Sequence, residues 1–332
     1  MQSQTDILVR DGVVESFWTE FVSYWRRLPN TGLFLAVLAA WLLLFQFLGN
    51  GTFGYIDTPS LFRWMFNAFN SKSDISDDAH GNLVPFVVLW LFWWKRKELF
   101  AAELRTWMPG AFVVLAAAVM HLLGYLVQQP RISIVAMLLG IYGITGMAWG
   151  PQWLRRSFFP FALFIFVVPF GSQGALVTFP LRMLVTTIVE FISRNLLGMD
   201  VVRVGTGLFD SAQTYQFDVA PACSGIRSLM AIFFLCTVYG YVSFRTSWRW
   251  LAMIAAAFPL AVLGNMLRLL AIVLAAELFG QDAGTWVHDS SLFSMLPYVP
   301  AILGIIVVER WLRGVGNTAA SGAPIAGAEV KS

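Results

Sequence analysis

Cys223, Arg268 and His288 are the side chains of this sequence whose types, taken together, answer to one kind of reaction. A cysteine nucleophile needs a group that manages protons, and a fixed positive charge or N–H donors for the oxyanion. Cys, His and Arg supply those three needs. Cys223 stands in Ala220-Pro221-Ala222-Cys223-Ser224-Gly225-Ile226-Arg227-Ser228, which reads as a turn feeding a helix N-terminus. There the helix dipole and a nearby Arg or His favour the thiolate. Ser224, Gly225 and Arg227 sit in the same turn as supporting residues. The other cysteine, Cys236, lies among Phe233, Phe234 and Leu235 and reads as a small buried hydrophobe. Arg268 shares a helical turn with Asn265 and is followed by apolar residues up to Glu277, so it either snorkels to an interface or fills a polar pocket. His288, in Trp286-Val287-His288-Asp289, reads as a loop residue and on its own would be ordinary surface. The sequence has no zinc-binding His-Glu pattern, no Gly-x-Ser-x-Gly elbow and no phosphate-binding Gly loop, so neither a metal nor a cofactor is expected.

The elements that must position these residues are set by composition. Of 332 residues, 58% are hydrophobic and 12% charged, and the mean hydropathy is +0.69. Soluble domains carry about a quarter charged residues, so this is an all-α polytopic membrane protein. Two cysteines exclude a disulfide framework, and a scattered net charge of +3 excludes nucleic acid as a partner. Membrane lipid is the expected surrounding. A span needs about 20 apolar residues, and the runs 32–49, 83–94, 109–127, 132–149, 158–178, 226–243, 250–279 and 295–312 give about eight spans.

Charge orients them. Every second loop is basic: Arg26-Arg27, Lys95-Arg96-Lys97 with Arg105, Arg155-Arg156, Arg245 with Arg249, and Arg310 with Arg313. By the positive-inside rule both termini are cytoplasmic. Arg268 then lies about 27 Å along its helix from Trp250 at the inner face. Cys223, ahead of the span that ends near Phe244, and His288, ahead of the span that ends near Arg310, reach the same outer face. The outer segment between spans reads as an amphipathic helix over 180–197 followed by a β-hairpin of 201–204 and 214–219. Residues 1–31 read as a cytoplasmic segment in which no cleavable signal peptide is expected. Their aromatic stretch (Phe17, Trp18, Phe21, Tyr24, Trp25) lies either in the membrane interface or against the protein's own spans. Residues 32–312 read as one membrane domain, and 313–332 as a disordered cytoplasmic tail.

Ala222-Cys223-Ser224-Gly225-Ile226-Arg227-Ser228, then Asn265-Met266-Leu267-Arg268, then His288 resemble the signature stretches of the exosortase/archaeosortase family. His80-Gly81-Asn82-Leu83-Val84-Pro85 resembles that family's His-Gly element, and the likeness runs over about residues 30 to 312. The resemblance implies a multi-pass cysteine protease or transpeptidase of the cytoplasmic (inner) membrane, working on the periplasmic face. Its partners would be exported proteins with a C-terminal motif such as Pro-Glu-Pro, a hydrophobic helix and a basic cluster. It would cut beside the motif and pass the new carboxyl end to an acceptor, in a setting of exopolysaccharide export. It further implies Cys223 as nucleophile, Arg268 as oxyanion stabiliser and His288 as general acid/base. Leu292 stands where many members carry Gly after the histidine, which keeps His80 as a second candidate base. Two other readings stand beside this one: a polytopic transporter with Arg268 and His288 lining a path, and an inactive family member that only binds sorting signals.

Overall fold

The computed structural model describes residues 17–51, 58–70, 78–169, 175–211, 215–218 and 226–321. Cys223, Ser224 and Gly225 lie outside them. The chain divides into two compact units, one of residues 1–71 and 81–169, the other of residues 72–80 and 170–332. Each is built mostly of helices.

In the first unit a helix over 17–27 (α1) precedes α2 (Thr31–Leu48) and α3 (Leu61–Asn70). Then come α4 (Val84–Trp94), α5 (Arg96–Phe100), α6 (Gly110–Leu126), α7 (Pro130–Trp149) and α8 (Pro151–Ala162). A 3-10 turn, Leu163–Val167, follows α8, and another, Ala79–Asn82, stands where the chain passes from residues of the second unit into the first. Packing centres on α7, whose Gly140 lies under the Trp41 ring of α2 while Trp41 Nε1 donates to the Met137 carbonyl at 3.0 Å. The aromatic stretch of α1 is half committed. Phe17 and Phe21 meet the Trp93 ring and Tyr24 meets Phe100, yet Trp18 and Trp25 remain exposed.

The second unit holds α9 (Ala175–Asn195), strands β1 (Val201–Val204), β2 (Gly207–Asp210) and β3 (Gln216–Asp218), and helices α10 (Ile226–Ser243), α11 (Ser247–Phe279), α12 (Gln281–Asp289), α13 (Ser291–Ser294) and α14 (Tyr298–Ser321). The strands form an antiparallel meander in the order β1-β2-β3. The hairpin expected from the sequence is therefore three strands, because Gly207–Asp210, between the two expected strands, pairs with both neighbours. The helix expected over 180–197 spans Ala175–Asn195, and Leu181, Val185 and Val189 bury one face of it against the sheet and α11. That i, i+4 spacing is the stripe an amphipathic helix needs to pack on a core.

Among the described residues four helical stretches are long and apolar enough to cross a membrane: Thr31–Leu48, Pro130–Trp149, Ser247–Phe279 and Leu292–Gly314. Val84–Trp94, Gly110–Leu126 and Ser228–Ser243 are apolar but shorter. The chain is thus a multi-pass membrane protein, but among the described residues the eight expected spans are not all long helices. The run 158–178 shows why. Its helix stops at Ala162, passes into a 3-10 turn, and Val168 is extended with ψ 114°. Pro169 follows, and a residue ahead of proline is driven out of the helical region. At the other end of the chain α14 continues to Ser321, into residues expected to be irregular.

Candidate active site

α11 is a single helix of 33 residues, about 50 Å long, which exceeds a hydrocarbon core of about 30 Å. It serves two apolar cores in succession. Its first half joins Ile232 and Cys236 of α10 and Ala301 and Ile305 of α14 through Met253, Ala257, Leu260 and Ala261. Its second half joins α9, the sheet and α12 through Leu269, Ile272, Val273 and Ala276. Between Ala261 and Leu269 stand Gly264, Asn265 and Arg268. A Cβ on Gly264 would come 2.5 Å from the Pro297 carbonyl oxygen, so only glycine lets the approach to α14 pass this close. Asn265 is 1% exposed, and among the described residues neither its Nδ2 nor Arg268 Nε has a hydrogen-bond partner. Buried polar groups are nearly always paired, so these two N–H donors within one helical turn are candidates to receive acceptors.

Arg268 does not snorkel away. Its Nη2 donates to the His288 carbonyl at 3.2 Å and lies 3.5 Å from Ser294 Oγ. A cation is favoured there, because the carbonyls at the end of α12 carry the negative pole of that helix. His288 was expected in a loop, but it occupies the last turn of α12. Gly280, at φ 88°, turns α11 into α12 through a conformation that other residues rarely adopt. Val287 is buried in the upper core, which leaves the next residue, His288, partly open with a side chain 29% exposed. Its Nδ1 is 2.7 Å from Asp289 Oδ1, an arrangement in which the carboxylate accepts from Nδ1–H.

The structure thus brings together Arg268, Asn265 and His288. His80 is buried in the turn Ala79–Asn82 and falls in the same unit. Arg227 lies in the first turn of α10, which begins three residues after Cys223 in the sequence. Leu229, in that same first turn, packs against both cores, so the start of α10 is level with the Asn265–Arg268 stretch of α11. Asp289 and Ser294 complete the arrangement and were not singled out from sequence. Adjacency to His288 was the one signal for Asp289, and Ser294 had none.

Tyr215, just ahead of β3, ties the sheet to the far end of α11 by donating to Glu277 Oε2 at 2.9 Å. Burial, and then the Glu277 carboxylate, push its phenol above the usual tyrosine range, so the hydroxyl stays a donor.

A family model for the transmembrane exosortase matches residues 73–313. The chain belongs to the transmembrane exosortase family. The match runs through both units and contains Cys223, Arg268, His288, Asn265 and His80, while α1, α2 and α3 precede it. No curated protein and no solved structure matched. Exosortases act in the processing of sorting signals, and the family is in general one of cysteine proteases or transpeptidases.

Proposed function

We propose that this exosortase is a cysteine transpeptidase that cuts exported proteins beside a C-terminal motif of the Pro-Glu-Pro kind and hands the new carboxyl end to an acceptor, at the outer face of the inner membrane. The Cys223 thiolate adds to the scissile carbonyl, and the charge moves to the carbonyl oxygen. Arg268 Nε–H and Asn265 Nδ2–H, which lack acceptors in the free enzyme, take up that oxyanion. His288 Nε2 protonates the leaving amine as the C–N bond breaks, leaving a thioester on Cys223. The acceptor's nucleophile then attacks the thioester, gives its proton to His288, and releases the thiolate. Asp289 keeps the imidazole in the tautomer this sequence requires.

The observation that carries the reading is the pair of buried, unpaired N–H donors beside His288, in a chain of this family. Arg268→Lys tests it. Ammonium keeps the charge but loses the planar pair of donors. Turnover of a tagged tail substrate in membranes should fall about 10²–10³-fold, the cost of one lost oxyanion donor, while cross-linked substrate capture persists. Near-full turnover would mean that Arg268 only braces α12.

A further inference from the structure

The three-stranded sheet has two edges, and a helix side chain meets each where a further strand would lie. At β1 the Arg203 N–H donates to Glu190 Oε1 of α9 at 3.3 Å. At β3 the Gln216 N–H donates to Gln281 Oε1 at 2.9 Å, and Gln281 Nε2 donates to the Gln216 carbonyl at 3.3 Å. The two contacts differ in kind. A carboxylate only accepts, whereas the Gln281 carboxamide accepts and donates at once, as the peptide group of a neighbouring strand does.

The register explains why Gln216 is open to this. The Asp210 N–H donates to the Tyr215 carbonyl at 3.4 Å, which makes that opposed pair a hydrogen-bonded one. Antiparallel pairs alternate. Phe209↔Gln216 is then non-bonded, Leu208↔Phe217 bonded and Gly207↔Asp218 non-bonded. The N–H and C=O of Gln216 and of Asp218 therefore point away from β2, two residues apart, at the repeat with which an added strand would bond. Gln216 is exposed and Gln281 half-buried, so the edge can be reached from outside. Asp218 precedes Cys223 by five residues, a stretch of at most about 18 Å.

We propose that the outer edge of β3 is the docking strand for the extended segment of the substrate around its cleavage motif, with the Gln281 carboxamide holding the place until the substrate displaces it. The proposal rests on the transpeptidase reading for the reaction that follows. Strand addition holds a peptide extended through its backbone whatever its side chains, leaving specificity to pockets for alternate residues. A peptide seated on β3 would lie within five residues of chain of Cys223.

Gln216→Pro and Gln281→Ala test this, because they break the same contact from opposite sides. Proline is tolerated on an edge where the N–H faces outward. With the full chain in membranes, and a tagged protein ending in Pro-Glu-Pro, a hydrophobic helix and a basic cluster, Gln216→Pro should raise KM about five-fold, one hydrogen bond's worth. Gln281→Ala should lower KM by a similar factor, because it frees the edge. If Gln281 merely blunts the edge, the two variants move KM together or leave it alone, and the proposal falls. A photo-cross-linking residue in place of Gln216 gives a second readout in case the proline variant misfolds. It should capture the tail whether or not Cys223 has been replaced by Ala. Processing without capture from position 216 would overturn the docking strand and leave the Cys223 reading intact. Capture together with full processing by a Cys223→Ala chain would do the reverse.

Discussion

A buried N–H donor without an acceptor costs about 1–3 kcal/mol, and Asn265 Nδ2 and Arg268 Nε stand in the same helical turn. An oxyanion arriving between them would supply both acceptors, which is how a resting-state cost becomes transition-state stabilisation. The meeting of Arg268 and His288 was legible in the sequence, because distance along a helix converts to depth. The Asp289 carboxylate on His288 was not, since adjacent residues meet only when backbone and rotamer allow it. Charge pairing shapes the other unit as well. Glu20 Oε1 accepts from Arg96 Nε at 2.9 Å and Oε2 from Nη2 at 3.0 Å, while the guanidinium lies over the Trp93 ring. The hydrogen bonds from Arg96, more than its charge, hold the Glu20 carboxyl below the usual carboxylate range. A carboxyl depressed in this way favours docking of α1 above its ordinary pKa of about 4.3, and the benefit is lost as pH falls through the lower docked value. A spin-label pair at Trp18 and Lys97 should keep its distance from neutral pH down past that ordinary value, then separate. Glu20→Gln should abolish the acid transition, and an unchanged transition would assign α1 docking to its aromatic contacts alone.

At the scale of elements, the long apolar helices were legible because hydropathy is summed over a turn-averaged length. α12 was not. Gln281–Asp289 has no apolar period and a glycine in its middle, so it reads as loop. It is helical because Gly284 lets it close on Ala276 and the Phe217 ring, where a Cβ would come within 2.4 Å of that ring. Tertiary packing there overrides intrinsic propensity. β2 was lost for a related reason, since Gly207 and Asp210 are turn residues that the meander uses inside a strand. The approach of α11 to Pro297 gives the element scale its prediction. Gly264→Ala should destabilise the fold by about 1–3 kcal/mol through overpacking, and lower turnover by displacing the connection that carries Ser294. Thermal unfolding in detergent checks it against Gly32→Ala, where an added Cβ meets nothing within 4 Å and the change should be neutral. Equal behaviour of the two variants would mean that the α11–α14 contact is soft.

For the molecule as a whole, composition and alternating basic loops carry more of the account than any single element. The family and the multi-pass character are shown by the chain, and an outward-facing site is what we propose from its charge pattern. Cysteines introduced near Asp77 or Gln213 should react with an impermeant thiol reagent added to intact cells, and those near Lys97 or Arg156 should not. Labelling of the second pair would turn the candidate site to the cytoplasm. The central claim is that one thiol, Cys223, forms an acyl-enzyme with the substrate. Membranes containing the enzyme and a tagged tail substrate, quenched in acid and analysed by mass spectrometry, should carry a hydroxylamine-labile adduct on the peptide that contains Cys223. Cys223→Ala should show neither adduct nor processed product, while Cys236→Ala, which changes one small buried side chain for another, should show both. Full processing by Cys223→Ala would contradict the account.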